Sequence, residues 1–180
     1  MVFLYLRRFR DVLLFVVVGG WFSLGATPAL AADSGACSAN SESRQLDYWI
    51  GNWTVNPGSP GSANSKVSLS LDQCLLVESW DNGKGHLGEN MFAYSPDDKG
   101  WYGMFADNQG HVHVFINGNV ASDRAEFSGP SRGASGEVVL NRVRVVRLAT
   151  DKVEQTWEKS TDKGASWTMV FRGEYSRRNP

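Results

Sequence analysis

Runs of alternating apolar and polar residues follow one another along most of the chain. In "WTMVFRGEY", residues 167–175, the side chains of Met169, Phe171 and Tyr175 share one face, and mostly polar side chains share the other. Alternation with a period of two is typical of β-strands that have one buried face. The pattern predicts ten strands, near residues 49–56, 66–73, 75–81, 87–95, 100–107, 111–120, 123–129, 137–148, 152–160 and 166–177.

Short separators such as "DNGKG", "SPDDKG" and "STDKG" divide these runs. They contain the glycine, asparagine and aspartate residues that tight turns require. Ten short strands joined by such turns favour an antiparallel meander, and closing the meander into a barrel removes its two exposed edges. We therefore predict an all-β fold, a single antiparallel up-and-down β-barrel of about ten strands. Only residues 42–48 have room for a helical turn.

The first 31 residues have the pattern of a signal peptide. A basic start with three arginines precedes an apolar run at residues 12–26, and "ALA" at 29–31 supplies the small residues of a cleavage site. We expect cleavage after Ala31 and export to the periplasm or out of the cell. A retained membrane anchor is the alternative, but the apolar run is short for a spanning helix and contains three glycines.

The remaining chain divides into a flexible tether at residues 32–45, which is small and polar, and a barrel domain at 46–180. The two cysteines, Cys37 and Cys74, both follow the leader. In an oxidising compartment they are expected to form a disulfide. Lipidation of Cys37 is the alternative, but "SGAC" lacks the leucine that usually precedes a lipidated cysteine by three positions.

The barrel domain opens on "LDYWIGNWTV", which contains the triplet Gly51-Asn52-Trp53. A Gly-x-Trp on the first strand resembles the start of the lipocalin-like (calycin) barrels. The resemblance implies that Trp53 closes one end of the barrel and that Arg177, from the last strand, packs across it. A guanidinium stacked on an indole in this way contributes about 0.5–2 kcal/mol. Gly51 would allow the close approach that such packing needs.

A longer pattern carries a broader resemblance. "LDYWIGNWTV", "CLLVESWDNGKG", "WYGMFADNQG" and "VEQTWEKSTDKGASWTMVFRGEYSRR" occur in this order between residues 46 and 178. Together they resemble a family of exported bacterial proteins of uncharacterised function in the calycin superfamily. The resemblance implies a β-barrel, and it brings no activity and no catalytic residues.

Charge and motifs narrow the range of partners. The net charge of the chain is −1, and the leader carries three arginines and one aspartate, so −1 − 2 = −3 remains after cleavage. With no basic stripe, nucleic acid is not an expected partner. No nucleophile elbow, phosphate loop, dinucleotide fingerprint or HExxH motif is present. We expect no cofactor, no metal and no stable membrane anchor, and the oligomeric state stays open.

Strand parity predicts which side chains face the barrel axis. The expected apolar lining consists of Trp80, Phe92, Tyr94, Phe105, Trp157, Met169 and Phe171. The expected polar contacts are Glu78, His113 and Gln155. This set predicts a binding site for a small apolar or amphipathic molecule, held by burial of its apolar surface.

Two other functions remain open on the same barrel. An isomerase or hydrolase would use Glu78 together with His113, because a buried acid has a raised pKa. An envelope interaction domain without a pocket would use exposed aromatics such as Tyr102. Glu78 has a structural interpretation as well, as an acid paired with an arginine or with Asn90.

Two further motifs favour structural roles. His111 and His113 lie two apart on a predicted strand, but two ligands make a poor metal site. Haem would need an inward-facing histidine, and His113 is the one candidate, which is weak support for haem. "STDKGASW", residues 160–167, matches the Asp-box turn of sialidases and other secreted β-proteins. A single copy, with Asp162 binding turn amides, indicates a structural turn.

Overall fold

The computed structural model describes residues 35–58 and 61–178. The expected signal peptide lies outside these residues. Two single-turn 3₁₀ helices, Glu42–Arg44 and Asp47–Trp49, precede ten strands. The strands are β1 Gly51–Asn56, β2 Ala63–Ser70, β3 Leu75–Asp81, β4 Leu87–Ser95, β5 Gly100–Asp107, β6 Val112–Val120, β7 Arg124–Arg132, β8 Val138–Ala149, β9 Lys152–Ser160 and β10 Thr168–Arg177.

Each strand pairs antiparallel with the next one along the chain, and β1 also pairs with β10. The sheet is thus a closed up-and-down barrel, as the sequence predicts, and it is compatible with a lipocalin-like fold. Every strand boundary lies within three residues of its predicted position. Within residues 35–58 and 61–178, the helices are too short to cross a membrane.

Successive turns of the barrel alternate between its two ends. We call the end that carries the β2–β3, β4–β5, β6–β7 and β8–β9 turns the closed end, because residues 35–50 pack there. Leu46 and Trp49 are buried among the barrel side chains. The hydroxyl of Tyr48 donates to the carbonyl oxygen of Val145 at 2.9 Å. The opposite end is called the open end.

The described part of the predicted tether, residues 35–45, is attached to the closed end. The expected disulfide joins Cys37 to Cys74, which precedes β3. The indole of Trp101 donates to Oε1 of Gln45 at 3.1 Å. A covalent link and the contact of Gln45 with Trp101 therefore attach these residues to the barrel.

Gly51, Trp53 and Arg177 meet at the closed end. The guanidinium carbon of Arg177 lies 4.2 Å from the centroid of the Trp53 ring. The same guanidinium donates to the carbonyl oxygen of Ile50 at 2.8 Å and to that of Tyr48 at 3.3 Å. Gly51 has a φ of +148°, and a Cβ there would lie 2.2 Å from Nη1 of Arg177. Only glycine fits both conditions.

Candidate ligand-binding cavity

The half of the barrel interior next to the closed end is filled with aromatic side chains. The rings of Phe92 and Phe127 are 4.3 Å apart between centroids, and Trp49 lies 6.0 Å from Phe92. The fully buried aromatic side chains of this half are Trp49, Trp53, Phe92, Phe115, Phe127 and Tyr175. These rings belong to the hydrophobic core of the barrel, where side chains are closely packed.

The other half contains a cavity of about 570 Å³. Its lining residues are Trp80, His86, Asn90, Phe105, Asp107, His111, His113, Asn141, Gln155, Trp157, Lys159, Val170 and Phe171. The side chain of His111, in the β5–β6 turn, is 61% exposed, so the cavity reaches solvent at the open end. This volume lies within the range of roughly 300–1,000 Å³ that is usual for small-molecule sites.

Aromatic rings form the walls of the cavity. The centroid of Trp157 lies 5.0 Å from that of Phe105 and 4.8 Å from that of His113. The centroid of Trp80 lies 6.1 Å from that of Phe171. All three pairs are edge-to-face, a favourable arrangement that fixes the rings against one another. The walls are thus apolar and preformed.

A buried polar network separates the cavity from the aromatic core. Its centre is Glu78, which is fully buried and does not line the cavity. The carboxyl group accepts hydrogen bonds from Ser65 at 2.7 Å and from Asn90 at 2.8 Å. It also contacts Tyr175 at 2.9 Å and Gln155 at 3.3 Å. Asn90 and Gln155 carry the network to the cavity surface, where they form part of its lining.

The proton count of this network favours a neutral Glu78. The hydroxyl of Tyr175 lies between Oε1 of Glu78, at 2.9 Å, and Oε1 of Gln155, at 2.6 Å, and it has one proton to donate. If Glu78 is protonated, it donates to the hydroxyl of Tyr175, which in turn donates to Oε1 of Gln155. Each of these two oxygen–oxygen contacts then contains one proton. Burial raises the pKa of Glu78 despite its hydrogen bonds, in agreement with this arrangement.

Asp107 organises the mouth of the cavity. Its Oδ2 contacts Nε2 of His86 at 3.0 Å and Nδ1 of His111 at 2.8 Å. Its Oδ1 accepts the backbone N–H groups of Gln109 and His111, which shapes the β5–β6 turn. Burial alone would raise the pKa of Asp107, but the hydrogen bonds from His111, His86 and the turn lower it well below its usual value. Asp107 is therefore a fixed negative charge.

The structure brings six of the predicted lining residues to one cavity. These are Trp80, Phe105, His113, Gln155, Trp157 and Phe171. Glu78 lies behind the cavity surface, so it supports the site through Asn90 and Gln155. Burial lowers the pKa of His113, with a further contribution from His111, and this ring is therefore neutral in the cavity at neutral pH.

Three predicted lining residues lie elsewhere. Phe92 faces inward but belongs to the filled half, and Tyr94 packs beside Trp101 at 5.9 Å between centroids. Met169 is 50% exposed, because the pairing of β9 with β10 shifts register between Met169 and Phe171. This bulge breaks the parity from which Met169 was predicted. Its side chain lines an adjoining groove of about 520 Å³, which shares Trp80, Val170 and Phe171 with the cavity.

Sequence reasoning missed several polar lining residues. Asn141 accepts the indole N–H of Trp157 at 3.1 Å and thereby orients this ring. The sequence signal for Asn141 was its position two residues before Val143 and four before Val145, which places the three side chains on one face of β8. The pairing of β5 with β6 places Asp107 and His111 at one turn, and the sequence "DNQGH" indicates this turn. Within the described residues, no group of three or more histidine, cysteine, aspartate or glutamate side chains is arranged to hold a metal ion.

The Asp-box segment forms a turn at the open end, next to β9. Asp162 accepts hydrogen bonds from the backbone N–H and the hydroxyl of Ser166 and from the hydroxyl of Ser160. These bonds lower the pKa of Asp162 to about 2. Trp167 packs under the guanidinium of Arg142 at 3.9 Å. The contacts are those of a structural turn.

No protein-family model matches the chain, and no curated protein sequence matches it either. The fold and the cavity are therefore the basis for a functional proposal.

Proposed function

We propose that this protein is an exported binding protein, which holds a small apolar or amphipathic molecule in the cavity of its lipocalin-like barrel. The unequal filling of the two halves of the barrel supports this proposal most strongly. Aromatic rings pack against one another in the half at the closed end, whereas the rings of the other half surround about 570 Å³ of space. A barrel of this size is able to fill its interior with side chains, so a preformed apolar cavity favours a ligand.

The chemistry of the walls favours an apolar ligand body. A molecule that removes about 200 Å² of apolar surface from water gains roughly 5 kcal/mol from burial, at about 25 cal/mol per Å². The edge-to-face rings around Trp157 are held by one another, so little side-chain freedom is lost on binding.

The disulfide supports an exported location. A bond between Cys37 and Cys74 is consistent with an oxidising extracellular or periplasmic compartment. Together with the signal-peptide pattern of residues 1–31, it supports cleavage near Ala31 and assignment to the exported bacterial family that the sequence resembles.

The position of Glu78 favours binding over catalysis. An acid–base mechanism would need Glu78 and His113 to meet the same ligand. Glu78 is fully buried, and its side chain bonds to Ser65, Asn90, Gln155 and Tyr175. A ligand in the cavity would contact Asn90 and Gln155 instead.

Binding is measured with N-phenyl-1-naphthylamine, an uncharged probe whose fluorescence rises in apolar surroundings. We expect saturable binding of one probe per chain. Replacing Phe171 by aspartate should weaken binding at least tenfold, because a carboxylate in the wall loses hydration when the probe enters. Val114→Asp is the matched control, since Val114 is 50% exposed and does not line the cavity. This variant should bind the probe as the unmodified protein does.

Thermal unfolding of each variant verifies that it is folded. If Phe171→Asp does not fold, Phe171→Ala serves in its place, with an expected loss of about threefold from the missing ring contacts. No saturable binding, or equal losses in the Phe171 and Val114 variants, would contradict the proposal. Native mass spectrometry of the exported protein tests the same proposal independently, through the mass of a co-purified small molecule.

A further inference from the structure

The cavity continues into the adjoining groove at the open end. The two spaces share three lining residues, Trp80, Val170 and Phe171. The pairing of β1 with β10 ends at Asn56 and Glu174, whereas β10 begins at Thr168. Residues 168–173 of β10 therefore extend beyond the end of β1, and the groove lies between them and the β1–β2 turn. A ligand that is longer than the cavity has room to extend into this groove.

Apolar side chains line the groove where it meets the cavity. Met169 and Val170 are 50% and 54% exposed, and both reach the groove because the bulge in β10 lies between Met169 and Phe171. Phe171 lines both spaces and lies edge-to-face with Trp80. The apolar lining therefore continues from the cavity into the groove, and a hydrocarbon chain gains free energy by covering it.

The charged side chains that line the groove are cations. They are Lys84 and Arg172, and the described lining residues of the groove include no aspartate or glutamate. Arg172 is paired with Glu154 at 2.7 Å. Lys84 is exposed and takes part in none of the ion pairs among the described residues. The cavity lining, by contrast, contains one fixed charge of each sign, Lys159 and Asp107. The groove is therefore the better place for an anionic group.

Hydrogen bonds in the β3–β4 turn hold the backbone at Lys84 in place. Oδ1 of Asn82 accepts the backbone N–H of Lys84 at 2.8 Å, and Oδ1 of Asp81 accepts that of Gly83 at 2.7 Å. Nζ of Lys84 lies 3.6 Å from the position that a Cβ would take at Gly61, in the facing β1–β2 turn. The ammonium group thus lies between the two turns at the rim of the groove, where it is accessible to a ligand.

We propose that the ligand is a single-chain amphiphile with an anionic head group, whose hydrocarbon chain occupies the cavity and whose head group binds Lys84 in the groove. This inference rests on the proposed binding function and names the class of its ligand. A carboxylate and a phosphate share the required chemistry, because each is negatively charged and accepts hydrogen bonds from an ammonium group. Next to Phe105 and Trp157 the head group would lose its hydration, whereas at the exposed Lys84 it keeps contact with water.

Four probes with the same unbranched chain length test the inference: decanoate, decyl phosphate, 1-decanol and decyltrimethylammonium. Their affinities are measured by competition with N-phenyl-1-naphthylamine at pH 7, below the concentrations at which the probes form micelles. We expect the two anions to bind about fivefold tighter than 1-decanol, as one exposed ion pair provides. The cation should bind no tighter than 1-decanol. The tighter of the two anions identifies the head group as a carboxylate or a phosphate.

Lys84→Met identifies the residue that carries the preference for anions. This change keeps an unbranched side chain in an exposed turn and removes its charge. The preference for the anions over 1-decanol should fall from about fivefold to about twofold or less, and the affinity for uncharged N-phenyl-1-naphthylamine should be unchanged. Lys152→Met is the matched control, because Lys152 is exposed at the closed end and lines neither the cavity nor the groove. It changes the net charge equally, and its preference for anions should stay about fivefold.

Each outcome separates this inference from the binding function. Equal affinities for the anions and 1-decanol would overturn the anionic head group and leave the binding function in place. Equal losses of preference in Lys84→Met and Lys152→Met would overturn the role of Lys84. A loss in Lys159→Met with none in Lys84→Met would overturn the placement of the head group in the groove. Failure of all four probes and of N-phenyl-1-naphthylamine to bind would overturn the binding function itself.

Discussion

Replacing Glu78 by leucine is expected to lower the free energy of unfolding by about 4 kcal/mol. The leucine side chain fills much of the same space but bonds to none of the four partners. Ser65, Asn90, Gln155 and Tyr175 would each lose a hydrogen bond in a buried site. Urea unfolding followed by tryptophan fluorescence measures the loss.

Glu78→Gln is the matched control for this prediction. It keeps the size and neutrality that the network favours, so it should cost about 1 kcal/mol or less. A loss of less than about 1 kcal/mol in Glu78→Leu would contradict the structural role of the network. Similar large losses in both variants would show that the charged form of Glu78 is the one that the fold needs.

The raised pKa of Glu78 gives this control a pH dependence. The folded state binds the proton more tightly than the unfolded state, whose carboxyl titrates near the ordinary value of 4.5. The stabilisation that the proton on Glu78 gives the folded state is therefore complete below pH 4.5. It is lost as the pH rises towards the folded-state pKa of Glu78, by up to about 1.4 kcal/mol per pH unit. The stability difference between the unmodified protein and Glu78→Gln should shift in favour of the variant over this range. A difference that is constant with pH would contradict a neutral Glu78.

Removal of the disulfide is the second large effect that we expect. The bond closes a loop with a sequence separation of 37. Opening it increases the freedom of the unfolded chain and should lower the free energy of unfolding by about 3–4 kcal/mol. The double variant Cys37→Ala, Cys74→Ala and the reduced protein should agree in urea unfolding.

The double variant also provides the control for the reductant, which should leave its unfolding curve unchanged. Residues 35–45 should then exchange their backbone amide hydrogens faster, because the link that holds them on the closed end is gone. A loss below about 1 kcal/mol would show that the packing of Leu46 and Trp49 suffices to hold this segment.

The strands could be predicted because their signals are local, and the closure of the barrel followed from the need to pair its two exposed edges. Alternation along "WTMVFRGEY" and turn residues in "DNQG" and "STDKG" depend on neighbours in the chain. The position of Arg177 over Trp53 came from the resemblance to lipocalin-like barrels. The strand and turn signals are independent of register, whereas the contact of Arg177 with Trp53 depends on the pairing of β1 with β10, in which these two residues are partners.

The depth of each side chain along the barrel axis could not be predicted. Parity places both Phe92 and Phe105 inside, but only the finished barrel shows that Phe92 packs in the core and Phe105 lines the cavity. The bulge near Met169 is a second example, because it arises from the pairing of β10 with β9. The packing of residues 35–50 on the closed end depends on contacts across the whole fold.

The most direct measurement of the central claim is the response of the indole N–H signals in a ¹H–¹⁵N NMR spectrum to N-phenyl-1-naphthylamine. Tryptophan-to-phenylalanine variants assign the signals. We predict shifts for Trp80 and Trp157, which line the cavity, and no shifts for Trp49 and Trp53, which lie in the filled half. Shifts confined to Trp49 and Trp53, or no shifts at saturating N-phenyl-1-naphthylamine, would contradict a binding site in the cavity.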